Sequence, residues 1–233
     1  MTRRYYCPRL PPSGGETSLA DAEAQHAIRV MRVQIGDSVT LFDGQGNESE
    51  AKIVDINRRT CFCMAEKTQS ISRESSVSMH LAIALPKPDR CRELIERLTE
   101  IGVQSITPIV AARTQRGPSA SLIEKLYRFV IESCKQCGRN QLMSIEPVTE
   151  SRDYFGTPAP AITRRLIAHP IDAMPLDSQI PANPILAAIG PEGGWTNEEV
   201  ELAVANGFSP ISLGKRIYRI ETAAVVVAAR LLD

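Results

Sequence analysis

From about residue 80 onward, short apolar segments of the sequence alternate with longer amphipathic ones. The apolar segments span 80–85, 105–111, 144–148, 165–168, 185–189 and 211–213, and the segments with helical spacing span 89–101, 121–137, 196–207 and 221–232. Short apolar segments are typical of buried strands, and strands that alternate with helices form a mainly parallel sheet covered by helices. We therefore predict an α/β domain, in which ligands bind at the carboxyl ends of the strands.

The first 72 residues show a different pattern. Residues 37–43, 48–57 and 60–65 alternate between polar and apolar side chains, as half-buried strands do. One helix is expected over residues 20–31, with Ser18 or Asp21 as its cap. Several short strands at this spacing predict a small β-barrel. A serine-rich stretch at 70–78 indicates the linker, so the predicted domains are 1–72 and 73–233.

The composition excludes several classes of protein. Of 233 residues, 43% are hydrophobic and 23% are charged, close to the globular average, which argues against a disordered chain. No stretch approaches the roughly 20 apolar residues that a membrane helix needs, so no membrane partner is expected. The arginines near the start have no apolar run behind them, so we expect no secretory signal and a cytoplasmic protein. Because 27 basic residues balance 27 acidic ones, the net charge does not indicate a nucleic-acid partner. A nucleic-acid site would need a local cluster of basic side chains.

Six cysteines raise the question of a metal site. The pairs Cys61/Cys63 and Cys134/Cys137 have a spacing that could supply four thiolates to zinc. The second pair, however, shares the apolar face of the predicted helix 121–137, where small buried residues are expected. We therefore interpret the cysteines as buried thiols and predict no metal.

Three segments follow predicted strands and are candidates for a ligand site. They are Ala168-His-Pro170, Ile189-Gly-Pro-Glu-Gly-Gly194 and Leu213-Gly-Lys-Arg-Ile-Tyr-Arg-Ile-Glu-Thr-Ala223. The glycine-rich segment lacks the Gly-Lys-Ser/Thr of a phosphate loop, and a tight strand-to-helix turn also explains its glycines. Glu221 is equally compatible with a first-turn carboxylate that the helix dipole favours, with a nearby arginine as its partner.

These segments, in this order, strongly resemble the ribosomal RNA small-subunit methyltransferase E family of the SPOUT superfamily. The resemblance extends over nearly the whole chain. It includes His26-Ala-Ile-Arg-Val-Met-Arg32, Gly36-Asp37, Leu41-Phe-Asp-Gly44, Leu85-Pro-Lys87, Glu100-Ile-Gly-Val103, Gln136-Cys-Gly-Arg139 and His169-Pro170. The chain departs from the residues usual in the family at Arg97, Ala112, Lys215, Tyr218 and Ile220, where Lys, Glu, Pro, Leu and Thr are usual.

The resemblance implies a fold, a cofactor and a reaction. The fold is an N-terminal PUA-like RNA-binding β-barrel followed by a SPOUT α/β domain whose last third forms a trefoil knot. The protein would be a homodimer that transfers the methyl group of S-adenosylmethionine to a uridine N3 of 16S ribosomal RNA, with that RNA or the small ribosomal subunit as substrate. The residues that would bind the cofactor are His169, Pro170, Ile189, Gly190, Pro191, Glu192, Gly193, Gly194, Leu213, Gly214, Ile217, Tyr218, Ile220, Thr222 and Ala223.

Uracil N3 must lose a proton, and the resulting anion needs a hydrogen-bond donor. Arg219 is the first candidate for that donor. Glu221 could accept the proton only if burial raised its pKa, so we interpret it at least equally as a residue that orients Arg219 or the uracil edge. Phosphate contacts would come from basic side chains. The candidates are Arg3, Arg4, Arg9, Arg29 and Arg32 in the N-terminal domain, and Lys87, Arg90, Arg113 and Arg139 near the catalytic cleft.

Other functions remain open at this point. One is a SPOUT methyltransferase that modifies another RNA position, such as a ribose 2′-hydroxyl or a guanine. Another is a non-catalytic RNA-binding protein of ribosome assembly. The joint presence of six residues argues against lost catalysis: Gly190, Gly193, Gly194, Gly214, Arg219 and Glu221. A third is a nucleotide-binding α/β protein of another kind, which leaves the order of the motifs unexplained.

Overall fold

The structure, a computed structural model, describes residues 3–19, 21–158, 163–170, 173–176 and 184–232. They form two compact units. The first comprises the residues up to Glu74 together with Ile131–Leu142, and the second comprises Ser75–Val130 and the residues from Met143 onward.

The first unit is built on a mixed β-sheet. Its elements are β1 Arg3–Tyr6, β2 Gly15–Leu19, α1 Asp21–Gln25, a π-helical turn His26–Val30, β3 Ser38–Phe42, β4 Asn47–Ile56, β5 Cys61–Ala65 and β6 Gln69–Ser70. The strand order among the described residues is β1-β3-β4-β5-β2, with β6 paired to β4. Only β1 and β3 run parallel, and the other ladders are antiparallel. The strands predicted at 37–43, 48–57 and 60–65 are confirmed as β3, β4 and β5.

Alternation along β5 shows how the sequence fixes the core of this unit. Cys61, Cys63 and Ala65 are buried, whereas Phe62 and Met64 point outward. The two thiols therefore belong to the hydrophobic core. A free cysteine behaves as a small hydrophobic residue, so it fits the buried face of a strand.

The predicted helix at 20–31 divides into two parts. The α-helix stops at Gln25, and the chain continues as a π-helical turn, in which the N–H of Met31 donates to the carbonyl of His26 at 3.0 Å. Arg32 then adopts a left-handed backbone with φ of 50°, which is uncommon for a residue with a side chain. Periodicity did not indicate this change of pitch.

Residues Ile131–Leu142, which the sequence predicts within the second domain, belong to the first unit. Lys135 donates to the carboxylate of Glu23 at 3.1 Å, and the backbone N–H of Leu142 donates to the carbonyl of Gly44 at 3.0 Å. Cys134 is buried here, but Cys137 is exposed. The prediction that both thiols of this pair are buried is wrong for Cys137, because the helix ends at that residue.

The second unit alternates strands and helices. Its elements are β7 Met79–Ile83, α2 Pro88–Ile101, β8 Ser105–Val110, α3 Ala120–Cys137 (whose last residues belong to the first unit), β9 Ser144–Ile145, β10 Thr149–Glu150, α4 Ser151–Gly156, β11 Arg164–Ala168, β12 Met174–Pro175, β13 Ile185–Ile189, α5 Asn197–Ala205, β14 Ser209–Ser212 and α6 Ile220–Leu231. The short elements β10, α4 and β12 were not predicted.

All ladders described in this unit are parallel, which confirms the predicted sheet. The strand order is β10-β8-β7-β13-β11-β14-β12, with β9 paired to β8. Neighbours such as β13 and β11 lie far from β7 in sequence, so the order could not be read from alternation alone. It places the carboxyl ends of β13, β11 and β14 side by side.

Helix termini in this unit follow sequence signals. Thr196 caps α5 in a capping box with Glu199, as predicted. Pro88 starts α2, and Gly102 ends it in the left-handed conformation with φ of 100°. Helices α2 and α6 pack against each other. A separate apolar cluster joins α4 and α5 to the sheet and includes Phe155, Trp195 and Phe208.

Candidate active site

The loops that follow β11, β13 and β14 line a single pocket of about 720 Å³. Ligand sites in proteins typically span roughly 300–1,000 Å³. The pocket lies at the carboxyl ends of three neighbouring strands, where the parallel sheet predicts a ligand site. The three segments identified in the sequence therefore meet in one place.

Nearly all residues predicted to bind a cofactor line this pocket. They are His169, Pro170, Ile189, Gly190, Pro191, Glu192, Gly193, Gly194, Leu213, Gly214, Ile217, Tyr218, Ile220 and Ala223. Thr222 does not line it, because it lies on the exposed side of the first turn of α6. Arg219 lines the pocket, whereas Glu221 is not among the residues that line it.

The glycine-rich loop is both a tight turn and part of the pocket wall. The N–H of Gly194 donates to the carbonyl of Pro191 at 2.8 Å, and Gly194 has a φ of +70° that favours glycine. At Gly190 a Cβ atom would lie 2.9 Å from Cε2 of Trp195. The tight turn is therefore confirmed, and Gly190 leaves room for the side chain of Trp195.

Trp195 forms the buried end of this wall. Its side chain is 4% exposed and packs edge-to-face on Phe155, with the ring centroids 5.3 Å apart. Its Nε1–H has no hydrogen-bond partner in the described part of the chain. Sequence reasoning missed Trp195, although its place directly after the glycine-rich loop was an available signal.

The start of α6 presents Arg219 at the pocket. Arg219 is the residue before the first turn of α6, and its exposed side chain makes no hydrogen bond or ion pair with any described residue. Ile217, in the same loop, is 92% exposed. Arg216 in this loop also lines the pocket and is likewise exposed without a described side-chain partner, so the loop offers two uncommitted guanidinium groups.

Glu221 lies in the first turn of α6 and pairs with Arg90 instead of Arg219. Its Oε1 is 3.9 Å from Nη1 of Arg90, which also donates to Glu192 at 3.1 Å. The Oε2 atom of Glu221 is buried with no hydrogen-bond partner among the described residues. The expectation that Glu221 orients Arg219 is not met, because Arg90 on α2 is the cation within reach.

The comparisons with known proteins agree with this arrangement. Residues 73–232 match the model of an RNA methyltransferase domain, and residues 19–63 match that of an RNA methyltransferase PUA domain. The chain belongs to the ribosomal RNA small subunit methyltransferase E family. A family member from Synechocystis sp. is 35% identical over 92% of this chain and 72% of its own length.

Solved structures support the same membership. The ribosomal RNA small subunit methyltransferase E of Neisseria gonorrhoeae, solved bound to S-adenosyl methionine, is 29% identical, covers 98% of this chain and 96% of its own, and has a TM-score of 0.91. A methyltransferase from Legionella pneumophila, solved in complex with the bound cofactor SAM, is 30% identical with the same coverage and TM-score.

The basic residues predicted to bind RNA differ in their environments. Arg9, Arg29, Arg32 and Lys87 are exposed, and their side chains have no partner within the described ranges. Arg3 is 39% exposed and pairs with Asp37 at 2.9 Å. The first four side chains are therefore uncommitted at the surfaces of their units, whereas Arg3 is exposed but paired.

Four of the predicted RNA ligands are committed to other protein groups. Arg4 is 12% exposed and pairs with Glu48 at 2.9 Å. Arg139, which was expected near the catalytic cleft, instead lies in the first unit, where its side chain is 5% exposed and donates to both oxygens of Glu74. Arg90 pairs with two carboxylates, and Arg113 donates to backbone carbonyls.

The described residues contain no cluster of three or more histidine, cysteine or acidic side chains able to hold a metal ion. Among the same residues, no helix is both long enough and apolar enough to cross a membrane.

Proposed function

We propose that this protein transfers a methyl group from S-adenosylmethionine to the N3 atom of a uridine in 16S ribosomal RNA. The observation that carries the proposal is the pocket formed by the loops after β11, β13 and β14, in a family whose members are named ribosomal RNA small subunit methyltransferases. Relatives with this fold were solved with the cofactor bound.

The residues of the pocket fit S-adenosylmethionine. The volume of the pocket, about 720 Å³, is large enough for the cofactor, and Gly190, Gly193, Gly194 and Gly214 contribute only backbone to its wall. A glycine-lined wall lets peptide groups approach a ligand closely. When bound, the cofactor supplies an activated methyl group on a sulfonium, so the protein's task is chiefly to position and to stabilise charge.

Arg219 is the residue that we propose stabilises the uracil anion. It lines the pocket and its guanidinium is uncommitted, so it can donate to the oxygens that carry the charge after N3 loses its proton. Glu221 does not line the pocket, so we propose that it acts through Arg90, which does line it and whose Nη1 lies 3.9 Å from Oε1 of Glu221. Because N3 lies on the Watson–Crick edge, the target uridine must be unpaired or flipped out.

We propose that RNA phosphates contact the exposed cations. Arg3, Arg9, Arg29 and Arg32 serve this role on the first unit and Lys87 on the second. We remove Arg4 and Arg139 from the proposal, because a buried guanidinium that is already paired would lose that pair on binding a phosphate. Binding should weaken steeply with salt as condensed counterions are released.

Three further features belong to the same proposal. We propose that the last third of the chain forms the trefoil knot that the family resemblance implies, and that the protein acts as a homodimer in the cytoplasm. We also keep the boundary between residues 72 and 73 as the proposed division between the RNA-binding and SPOUT domains.

A methyl-transfer assay tests the function. The purified protein is incubated with labelled S-adenosylmethionine and either naked 16S ribosomal RNA or small subunits that lack the modification, and nucleosides are identified by mass spectrometry. We expect N3-methyluridine, and we expect Arg219→Ala to lose turnover while it retains cofactor affinity. Methylation of a ribose or a guanine would reject the N3 assignment, and normal turnover by Arg219→Ala would reject the role of Arg219.

A further inference from the structure

Arg113 lies in the loop that follows β8, but its guanidinium reaches across to the glycine-rich loop. Its Nη1 donates to the carbonyl of Gly193 at 2.9 Å and to the carbonyl of Trp195 at 3.1 Å. One side-chain nitrogen therefore holds two peptide groups that lie two residues apart in the pocket wall.

The N–H groups of the same two peptides, which join Gly193 to Gly194 and Trp195 to Thr196, are also hydrogen-bonded. The N–H of Gly194 donates to the carbonyl of Pro191 at 2.8 Å, and the N–H of Thr196 donates to Oε2 of Glu199 at 2.9 Å. Because a peptide group is planar, bonds to its oxygen and to its nitrogen together fix its orientation. Two peptide planes of the wall are thus hydrogen-bonded through both their oxygen and their nitrogen.

The stem of Arg113 also packs on this loop. A Cβ atom at Gly193 would lie 3.3 Å from Cβ of Arg113 and 3.4 Å from its Cδ. The glycine at 193 therefore leaves room for the arginine stem, in addition to exposing backbone to the pocket.

Glu199 fixes the turn that carries Arg113. Its carboxylate is buried, and its Oε1 accepts hydrogen bonds from the N–H of Ala112 at 2.9 Å and from the hydroxyl of Ser151 at 2.6 Å. Thr114 closes the turn from the other side, since its hydroxyl accepts from the N–H of Ala111 at 2.9 Å. Arg113 is thereby anchored by its neighbours on both sides.

We propose that Arg113 is a positioning residue for the cofactor, which holds the loop of residues 190–195 in its binding shape, with Glu199 as the anchor of Arg113. This inference rests on the proposed function, since the bound group is S-adenosylmethionine. It replaces the RNA-phosphate role that the sequence suggested for Arg113. Lysine should hold the loop less well, because its flexible stem loses more conformational freedom for each hydrogen bond formed than the planar, pre-organised guanidinium does.

The experiment compares Arg113→Ala, Arg113→Lys and Glu199→Gln with Arg116→Ala. Arg116 is an exposed arginine in the same loop whose side chain makes no hydrogen bond or ion pair with the described residues, so it controls for the loss of one positive charge. Three quantities are measured: affinity for S-adenosylmethionine without RNA, affinity for RNA without cofactor at several salt concentrations, and amide hydrogen exchange of residues 190–196 in the cofactor-free protein.

We expect both Arg113 variants to lose cofactor affinity by about 10- to 100-fold, because two hydrogen bonds to a charged group are lost. Glu199→Gln should lose less, and Arg116→Ala should match the wild type. The amides of Gly194 and Thr196 should exchange faster in the Arg113 variants, while RNA affinity stays unchanged. Where Arg113→Ala does not fold, Arg113→Lys and Glu199→Gln carry the test.

Two results would overturn the proposal. One is unchanged cofactor affinity in Arg113→Ala together with weaker RNA binding and a salt slope reduced by about one phosphate contact. The other is unchanged exchange of the loop amides. If the wild type binds no S-adenosylmethionine, the proposed function fails, but faster exchange in the Arg113 variants would still support its structural bond to the loop.

Discussion

The indole of Trp195 lies directly against the backbone of Gly190. A Cβ atom at residue 190 would lie 2.9 Å from Cε2 and 3.0 Å from Nε1 of that ring. Real Cβ atoms do not approach so closely, and the indole cannot move aside easily because it also packs on Phe155. The backbone at the start of the glycine-rich loop can therefore lie against the large indole of Trp195 only because residue 190 has no side chain.

Gly190→Ala should displace the loop and weaken binding of S-adenosylmethionine by about tenfold or more, since overpacking costs typically 1–3 kcal/mol. Trp195 is the chain's only tryptophan, so its fluorescence reports the titration. Gly156→Ala is the matched control, because its Cβ would meet nothing within 4 Å. Unchanged affinity in Gly190→Ala would show that the loop tolerates the contact.

Arg90 should stabilise the fold mainly through Glu221. Removing Arg90 leaves the Glu221 carboxylate, whose side chain is 14% exposed, without its cation, so Arg90→Ala should lower the free energy of unfolding by about 1–3 kcal/mol. Glu192→Ala should cost less than about 1 kcal/mol, because Glu192 is 57% exposed. Urea unfolding measures both, with Arg97→Ala on the same helix as control. Equal losses for Arg90→Ala and Glu192→Ala would contradict this ranking.

Glu48 should make the first unit sensitive to acid. Burial alone would raise the pKa of Glu48, but hydrogen bonds from Arg73 and Arg4 outweigh it and lower the pKa. Its stabilisation is therefore present above the unfolded pKa of roughly 4.3 and is lost as the pH falls through the lower folded pKa. Unfolding measured from pH 7 to pH 3 should show a shallower decline for Glu48→Gln than for the wild type. Identical declines would contradict the lowered pKa.

The two thiols at the end of α3, Cys134 and Cys137, should differ in how fast they are alkylated in the folded protein. Burial raises the pKa of Cys134 to about 12, whereas Cys137 is exposed. Because the thiolate is the reactive form, iodoacetamide at pH 8 should label Cys137 first, and the other five cysteines only on unfolding. Mass spectrometry of the alkylated native protein and of Cys137→Ser measures this. Labelling of native Cys134 at a similar rate would show that α3 opens.

Much of the site could be predicted from the sequence, because a simple rule governs it. Alternating strands and helices give a parallel sheet, and His169, Gly190 and Gly214 each follow a strand, so they had to lie at one edge. The distance between them could not be predicted, since it depends on the order β13-β11-β14. That order is set by pairing between strands distant in sequence.

The side-chain contacts were less predictable. Arg113 and Arg139 look alike in sequence as surface cations, but Arg113 binds backbone carbonyls, whereas Arg139 is buried and binds the half-buried carboxylate of Glu74. Such partners are brought together only by tertiary structure. The π-helical turn after Gln25 was also missed. The spacing of apolar residues does not show where backbone hydrogen bonds change from the α-helical to the π-helical pattern.

The most direct test of the central claim is a calorimetric titration of the purified protein with S-adenosylmethionine. The pocket formed by the loops after β11, β13 and β14 predicts saturable binding at one site per chain, and predicts that Gly193→Leu abolishes it while the protein stays folded. Absence of binding by the wild type, with RNA affinity intact, would contradict the account and favour a non-catalytic RNA-binding protein.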